Sequence, residues 1–278
     1  MKYIADHDLH IHSYISPCAG HDTRETPEAI LAYGMTNGFR LLCLTDHIWD
    51  AKGPGKCTLW RGAGLDLEKE RSLLPLPQSP VCRFLFGMEV DMDNEGNIAL
   101  SEQEYNAFDF LVLAPSHIHM FPPVPVEGKS IAEIYKEHYI KRIDTYLSKK
   151  LPFRKCGLAH FTTTLICKDD PFGVLRIFTD NEYEAIFARI AELGLGVELN
   201  FDAEYAIANE EEKKQILRPY HIAKSAGCKF YLGGDLHRPE RFKSRKPAFE
   251  QAINLLNLTE DDKLPLVKEL IPEDDPNA

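Results

Sequence analysis

Short apolar runs recur along this chain, and the residues that close them are largely histidines, aspartates and glutamates. Seven runs read as strands: 3–12, 40–45, 83–90, 108–114, 156–161, 196–201 and 229–233. Most are continuously apolar, as in RLLCLT and RFLFGMEV, which is the pattern of parallel strands buried on both faces. Helical periodicity fills the gaps at 27–37, 130–147, 182–193, 210–226 and 247–256, with Pro27 in a first turn and Gly38 as a stop. Strand and helix in alternation argue for an α/β fold with a parallel sheet. Seven units in 278 residues favour a closed TIM-like barrel over an open sheet, since such barrels need about 250 residues. One domain over 1–271 and a frayed tail over 272–278 are expected.

Two segments break the rhythm, at 49–80 and 119–128, and both are expected to be binding loops or lids. An apolar fraction of 44% supports a sizeable core. The net charge of −11 and the lack of a lysine- or arginine-rich run disfavour an extended nucleic-acid interface. Seven scattered cysteines, an odd number with no C-x-x-C pair, suit a reducing compartment better than a disulfide framework. The opening residues carry charge and histidine without an apolar leader core, and no run is long enough to span a membrane. A cytoplasmic chain without membrane contact is therefore expected, with room for a homo-oligomer.

The chemistry lies at the C-terminal ends of the runs. In order they present His10-Ile11-His12, Asp46-His47, Glu89 with Asp91, His117 with His119, His160, Asn200, and Asp235-Leu236-His237. In α/β barrels this face carries the active site. Residues i and i+2 of a strand share a side, so His10 and His12 can aim at one point, as can Asp235 and His237. Imidazole and carboxylate together are ligands for zinc, manganese or iron. Taken singly each residue has a plainer reading: His160 as a core histidine, Asp46 and Asp91 as caps, Asn200 as a loop hydrogen-bonder. Position argues otherwise, because seven of the 11 histidines fall at or just after a strand end. His7 belongs to the opposite face of the first strand, and His138 and His221 to solvated helix faces. His21, in the loop SYISPCAGHD, can fold back to the site, with Cys18 as its rival.

In this order the motifs DLHIHS, LTDH, GMEVD, APSHIH, GLAH, VELN and GGDLH resemble the PHP (polymerase and histidinol phosphatase) superfamily, over most of the chain from Asp8 to His237. The resemblance implies a distorted seven-stranded (β/α)7 barrel with two to three divalent metal ions at the strand ends. It implies that His10, His12, Glu89 and Asp235 hold one metal. Glu89 then bridges to a second metal completed by His117 and His160, with His119 as the fallback for His117. His47, His237 and a loop histidine, for which His21 is preferred, hold the third.

The expected reaction is hydrolysis of a small-molecule phosphate ester, histidinol-phosphate-like or a nucleotide, by metal-activated hydroxide. Glu89, Asp46 and His237 are the expected catalytic residues, with Asp46 or a histidine near the third metal protonating the leaving alkoxide. Arg238 is the first choice to seat the phosphate, ahead of Lys168 and Arg61, and Asn200 is a further substrate contact. The rival readings are a nuclease or oligonucleotide phosphodiesterase, a metal-binding sensor without turnover, and amide or lactone hydrolysis on a similar centre.

Overall fold

The computed structural model describes residues 1–19, 22–49 and 67–271. The strands are β1 (His7–Ile11), β2 (Leu41–Leu44), β3 (His47–Ile48), β4 (Arg83–Phe86), β5 (Met88–Val90), β6 (Leu111–Leu113), β7 (Cys156–Leu158), β8 (Gly196–Leu199) and β9 (Lys229–Leu232). Every expected run thus contains a strand. The run 83–90 is split at Gly87, where a Cβ would lie 2.4 Å from the Phe110 carbonyl and 2.7 Å from Cys43 Sγ. Only glycine lets the neighbouring strands close in at that point.

All strand pairs are parallel, in a three-stranded sheet ordered β1-β2-β4 and a six-stranded sheet ordered β3-β5-β6-β7-β8-β9. The fold is therefore mixed α/β with parallel sheets. The expected closed ladder is not continuous among the described residues; one parallel bridge, Ile11 to Leu236, joins the end of β1 to the segment after β9. Leu9, Leu41, Cys43 and Leu85 from the smaller sheet cluster with Val112 and Tyr231 from the larger. The two sheets accordingly share one interior, and the opposite strand faces pack on the helices.

Helices begin and end where local chemistry dictates. Thr26 caps the helix Pro27–Asn37, which stops at Gly38 with φ 68°. Ser130, Thr179 and Asn209 form capping boxes on Ile131–Ser148, Asp180–Leu193 and Glu210–Ser225. The last long helix starts earlier than its expected Pro247: it spans Phe242–Leu255 and tolerates the proline inside. Pro171–Ile177, Asp202–Ile207 and Pro265–Leu270 are short helices whose few turns carry too little periodicity to be read from sequence. Among the described residues no helix is long and apolar enough to cross a membrane. The tail at 272–278, and residues 50–66 of the first expected loop, lie outside the described residues.

Candidate metal centre

The first ligand pair depends on an irregularity in β1. Asp8 pairs with Leu42 and Ile11 with Leu44, so β1 spends three steps against two. The extra residue places Leu9 in the interior cluster although Ile11, two positions on, packs on the helix side. It also leaves His10 and His12 together at the mouth of the interior, with their Nε2 atoms 3.2 Å apart. Bulges of this kind re-aim side chains at functional sites.

Glu89, at the middle of β5, stands at the centre. Its Oε2 lies 3.4 Å from His10 Nε2, 3.4 Å from His12 Nε2 and 3.2 Å from His47 Nδ1. Its Oε1 faces His117 Nε2 at 3.6 Å and His160 Nε2 at 3.7 Å. Asp235 Oδ1 lies 3.6 Å from His10 Nε2 and 3.2 Å from His12 Nε2. A tetrahedral ion with bonds of about 2.0–2.2 Å needs ligand-to-ligand edges of about 3.3–3.6 Å. The separations among His10, His12, Glu89 and Asp235 fall around that range. Both Glu89 oxygens and His160 Nε2 are buried without a hydrogen bond. Buried carboxylate oxygens left this way are costly unless something else compensates them. The donor set therefore fits divalent transition-metal ions. His10, His12, Glu89 and Asp235 form one group that could hold an ion, and His47, Glu89 and His117 another. His160 shares Glu89 Oε1 with His117 and also falls in a group with His10 and Glu198.

Two buried carboxylates orient imidazoles, and a third holds the turn after β1. Glu198 Oε1 accepts from His10 Nδ1 at 2.7 Å, and its Oε2 accepts the His160 backbone N–H at 2.9 Å. Asp91 Oδ1 accepts from His117 Nδ1 at 2.7 Å, and its Oδ2 lies 3.2 Å from His47 Nδ1. Asp46 accepts from the Ser13 backbone N–H at 2.7 Å and the Ser13 hydroxyl at 2.6 Å. Carboxylates behind metal-ligating histidines fix their tautomer and raise their basicity. Sequence reasoning missed Glu198. Its signal was a carboxylate in the middle of an apolar strand, which is tolerated only with partners. The adjoining glycines follow from it: a Cβ on Gly233 would meet Glu198 Oε1 at 1.9 Å, and one on Gly234 would meet Asp8 Oδ2 at 2.5 Å. His160 and Asp235 both adopt left-handed backbone, with φ 48° and 46°, a conformation rare outside glycine and concentrated at functional sites. Arg142, also missed, is buried and donates to the Pro115 carbonyl at 2.8 Å, holding the turn that carries His117.

A third group comprises His12, Cys18, His47 and His237. The loop residue within it is Cys18; His21, the preferred choice from sequence, lies outside the described residues, as does Arg61. His119 stands beside His117 with ring centroids 5.5 Å apart and enters none of these groups. Asp46 is fully buried and turns both oxygens to Ser13, and burial raises its carboxyl above the ordinary value against the pull of His12 and Ser13. His237 and Asp235 are the more open members, their side chains 28% and 25% exposed. Arg238 is exposed beyond them, Lys168 is exposed, and Asn200 is half-buried at the end of β8. His7 is buried away from the cluster, where Asp6 and the Leu232 backbone N–H engage its two nitrogens. His221 is exposed, but His138 is half-buried, contrary to the solvated role expected for it.

Charge within the cluster is tightly balanced. Burial opposes a proton on His10, yet Glu198, Glu89 and Asp235 outweigh it and hold its pKa well above the ordinary imidazole value. His12 is likewise opposed by burial but lifted to about 10 by the Cys18 thiolate and Asp235. Burial works against ionised Cys18, and His12 and His47 overcome it, bringing the thiol down to about 3. Burial disfavours the Glu89 carboxylate, which His47, His117 and His10 nevertheless hold well below its usual range. His119 goes the other way, pushed down to about 4 by burial and by the charges of His117 and Lys168.

Among solved structures, the chain is similar to a histidinol phosphate phosphatase from Lactococcus lactis subsp. lactis, complexed with zinc, L-histidinol and phosphate. Identity is 14%, the match covers 93% of this chain and 98% of that one, and the TM-score is 0.52, which shows a shared fold. An N-isopropylammelide isopropylaminohydrolase from Burkholderia multivorans also matches, at 13% identity over 95% of this chain and 72% of that one, with a TM-score of 0.46. No family model matches the sequence, and no curated protein does.

Proposed function

We propose that this protein is a metal-dependent hydrolase of the PHP type, cleaving a small-molecule phosphomonoester at the strand ends. The observation that carries the reading is Glu89: a buried carboxylate with no hydrogen bond, one oxygen facing three imidazoles and the other facing two. That arrangement is suited to bridging cations, and two to three ions of zinc, manganese or iron are the cofactors proposed. The likeness to a phosphatase crystallised with zinc and phosphate supports the substrate class. We further propose that the two sheets together make a distorted seven-stranded barrel, since they share an interior and are joined by the Ile11 to Leu236 bridge.

Divalent ions bound at such a centre lower the pKa of water toward neutrality and neutralise charge on phosphoryl oxygens. The chain's own residues prepare the site. Glu89 draws His10, His12, His47, His117 and His160 around one point, and Glu198 and Asp91 hold the rings of His10 and His117 in the tautomer that presents Nε2. Asp46 fixes Ser13 and through it the turn after β1. His237, on the open side, or Asp46 supplies the proton for the leaving alkoxide. Arg238, which follows His237 in the chain, and Lys168 are the exposed cations proposed to seat the phosphate. The net charge of −11 argues against a nuclease acting on long strands.

The test is a metal-reconstituted assay against a panel of phosphomonoesters, histidinol phosphate included, with oligonucleotides, cyclic amides and lactones alongside. Release of inorganic phosphate, abolished in Glu89→Gln, is expected. Hydrolysis of amides or oligonucleotides alone, or full turnover by metal-loaded Glu89→Gln, would overturn the proposal.

A further inference from the structure

We propose that Cys18 supplies a thiolate to a cation site shared with His47 and His237, giving this chain one sulfur-containing metal position beside positions built only from nitrogen and oxygen. The inference deepens the metal-dependent reading above and rests on it.

The loop after β1 is built to return this thiol to the centre. The Ser13 carbonyl accepts the Ser16 backbone N–H at 3.1 Å, and the Ser16 carbonyl accepts the Ala19 N–H at 3.1 Å, coiling the chain through the short 3-10 turn Pro17–Ala19. Asp46 grips the start of the turn through both hydrogen bonds to Ser13. The result brings Cys18 Sγ and one nitrogen each of His12, His47 and His237 within 4.8 Å of one another. This is a convergent donor group with three imidazoles.

Roles within it follow from what each ring already does. His12 turns Nε2 to Glu89 and Asp235, where it belongs to the first ion group. Its Nδ1 lies 3.7 Å from Sγ, so the ring donates a hydrogen bond to the sulfur and does not share a second ion. Ser16 Oγ lies 2.9 Å from Sγ, and its hydroxyl can donate to a thiolate there. A sulfur flanked by an imidazole N–H and a hydroxyl is equipped to remain a thiolate, the form that binds metal. His237 donates Nδ1 to the Asp235 backbone carbonyl at 2.9 Å, which fixes its tautomer and presents Nε2. His47 turns Nδ1 toward Glu89 and Asp91, each at 3.2 Å. One sulfur and two imidazoles on one side, with partly exposed His237 toward solvent, make a three-ligand site with an open fourth position. Open sites of that kind admit water or substrate. Thiolate favours zinc or cobalt over manganese, whereas the carboxylate-rich group around Glu89 accommodates either.

Cobalt(II) is the probe, because thiolate ligation produces a near-ultraviolet charge-transfer band that nitrogen and oxygen ligands do not. Metal-free full-length protein titrated with cobalt should show this band. Cys18→Ser and Cys18→Ala should each lose it and bind roughly one equivalent less, while keeping the visible absorption of the remaining cobalt and a native circular dichroism spectrum. Wild-type protein should also retain roughly one equivalent fewer of manganese than of zinc. Cobalt bound by the wild type with no charge-transfer band, as His21 ligation would give, overturns the inference. A band that survives in both variants overturns it as well. Failure to bind any cobalt removes this inference and the metal-dependent reading together, whereas a Cys18-dependent band without phosphoester hydrolysis removes only the proposed phosphoesterase activity.

Discussion

Replacing Glu198 by glutamine isolates what a buried orienting carboxylate contributes to the centre. Glu198 is fully buried and accepts two hydrogen bonds, from His10 Nδ1 at 2.7 Å and from the His160 backbone N–H at 2.9 Å. Glutamine is nearly the same size but keeps only one acceptor. Whichever way its amide turns, one N–H of the pair faces another donor, or His10 switches tautomer and loses Nε2 as a ligand atom. A hydrogen bond to a charged group contributes about 1.5–3 kcal/mol. Independently, removing a carboxylate behind a ligating histidine weakens metal binding by about 10–100-fold, equivalent to about 1.4–2.8 kcal/mol. The two routes agree near 2 kcal/mol, so zinc affinity in Glu198→Gln should fall about 30-fold. Competition against a chromophoric chelator measures it, with the melting temperature of the metal-free variant as the control for folding. A folded variant whose zinc affinity stays within about threefold of wild type would refute the reasoning that Glu198 acts through His10.

Gly233→Ala should reproduce that loss without touching either partner, because its Cβ would come within 1.9 Å of Glu198 Oε1 and push the carboxylate off His10. Since both changes act on one hydrogen bond, the double variant should be no worse than the poorer single one; additive losses in the same chelator assay count against the shared cause. Proton competition gives a third test. Without ions, His10 and His47 are held well above the ordinary imidazole range and His12 at about 10, in each case by neighbouring negative groups that overcome burial. A raised histidine stabilises the folded metal-free protein fully below about pH 6.5, and that contribution fades as pH climbs through the folded value. Ions must displace the same protons. The rise in melting temperature on adding zinc should therefore grow from pH 6 toward pH 9, and a rise that shrinks with pH contradicts it.

The strand ends were legible because the chain repeats one device. An apolar run long enough to cross the interior is followed at once by residues that do not belong in a core, and His10, His12, Glu89 and Asp235 converge for that reason. Helix limits were legible where a cap or a left-handed glycine punctuates them, as at Thr26 and Gly38. What escaped was set by contacts between distant segments. The split of 83–90 at Gly87 depends on Phe110 and Cys43, the bulge in β1 on its register with β2, and the partnership of Glu198 with His10 on residues 188 apart. Of the neighbouring pair His117 and His119, the turn held by Arg142 brings the first to Glu89 and Asp91.

Those distant partnerships share one electrostatic logic. Asp46, Glu89, Asp91 and Glu198 are each fully buried, and Asp235 is largely so. Removing one carboxylate from water carries a penalty of several kcal/mol before compensation. Among the described residues, imidazoles lie within 4 Å of Glu89, Glu198 and Asp235, Asp46 and Glu198 also accept from hydroxyl and backbone N–H groups, and the Arg142 guanidinium adds its charge near Asp91. An imidazole can answer a carboxylate either by taking a proton itself or by presenting a lone pair to a cation that lies between. The first answer requires protons on several rings packed at 3.2–3.7 Å from shared oxygens, with His10 and His12 placing like charges at 3.2 Å. The second leaves each ring neutral, with one N–H for its carboxylate partner and one lone pair for the cation. Cations therefore resolve a repulsion that protons create. On the proposed metal-dependent reading, zinc should therefore raise the melting temperature of wild-type protein, and a melting temperature unchanged by saturating zinc counts against it.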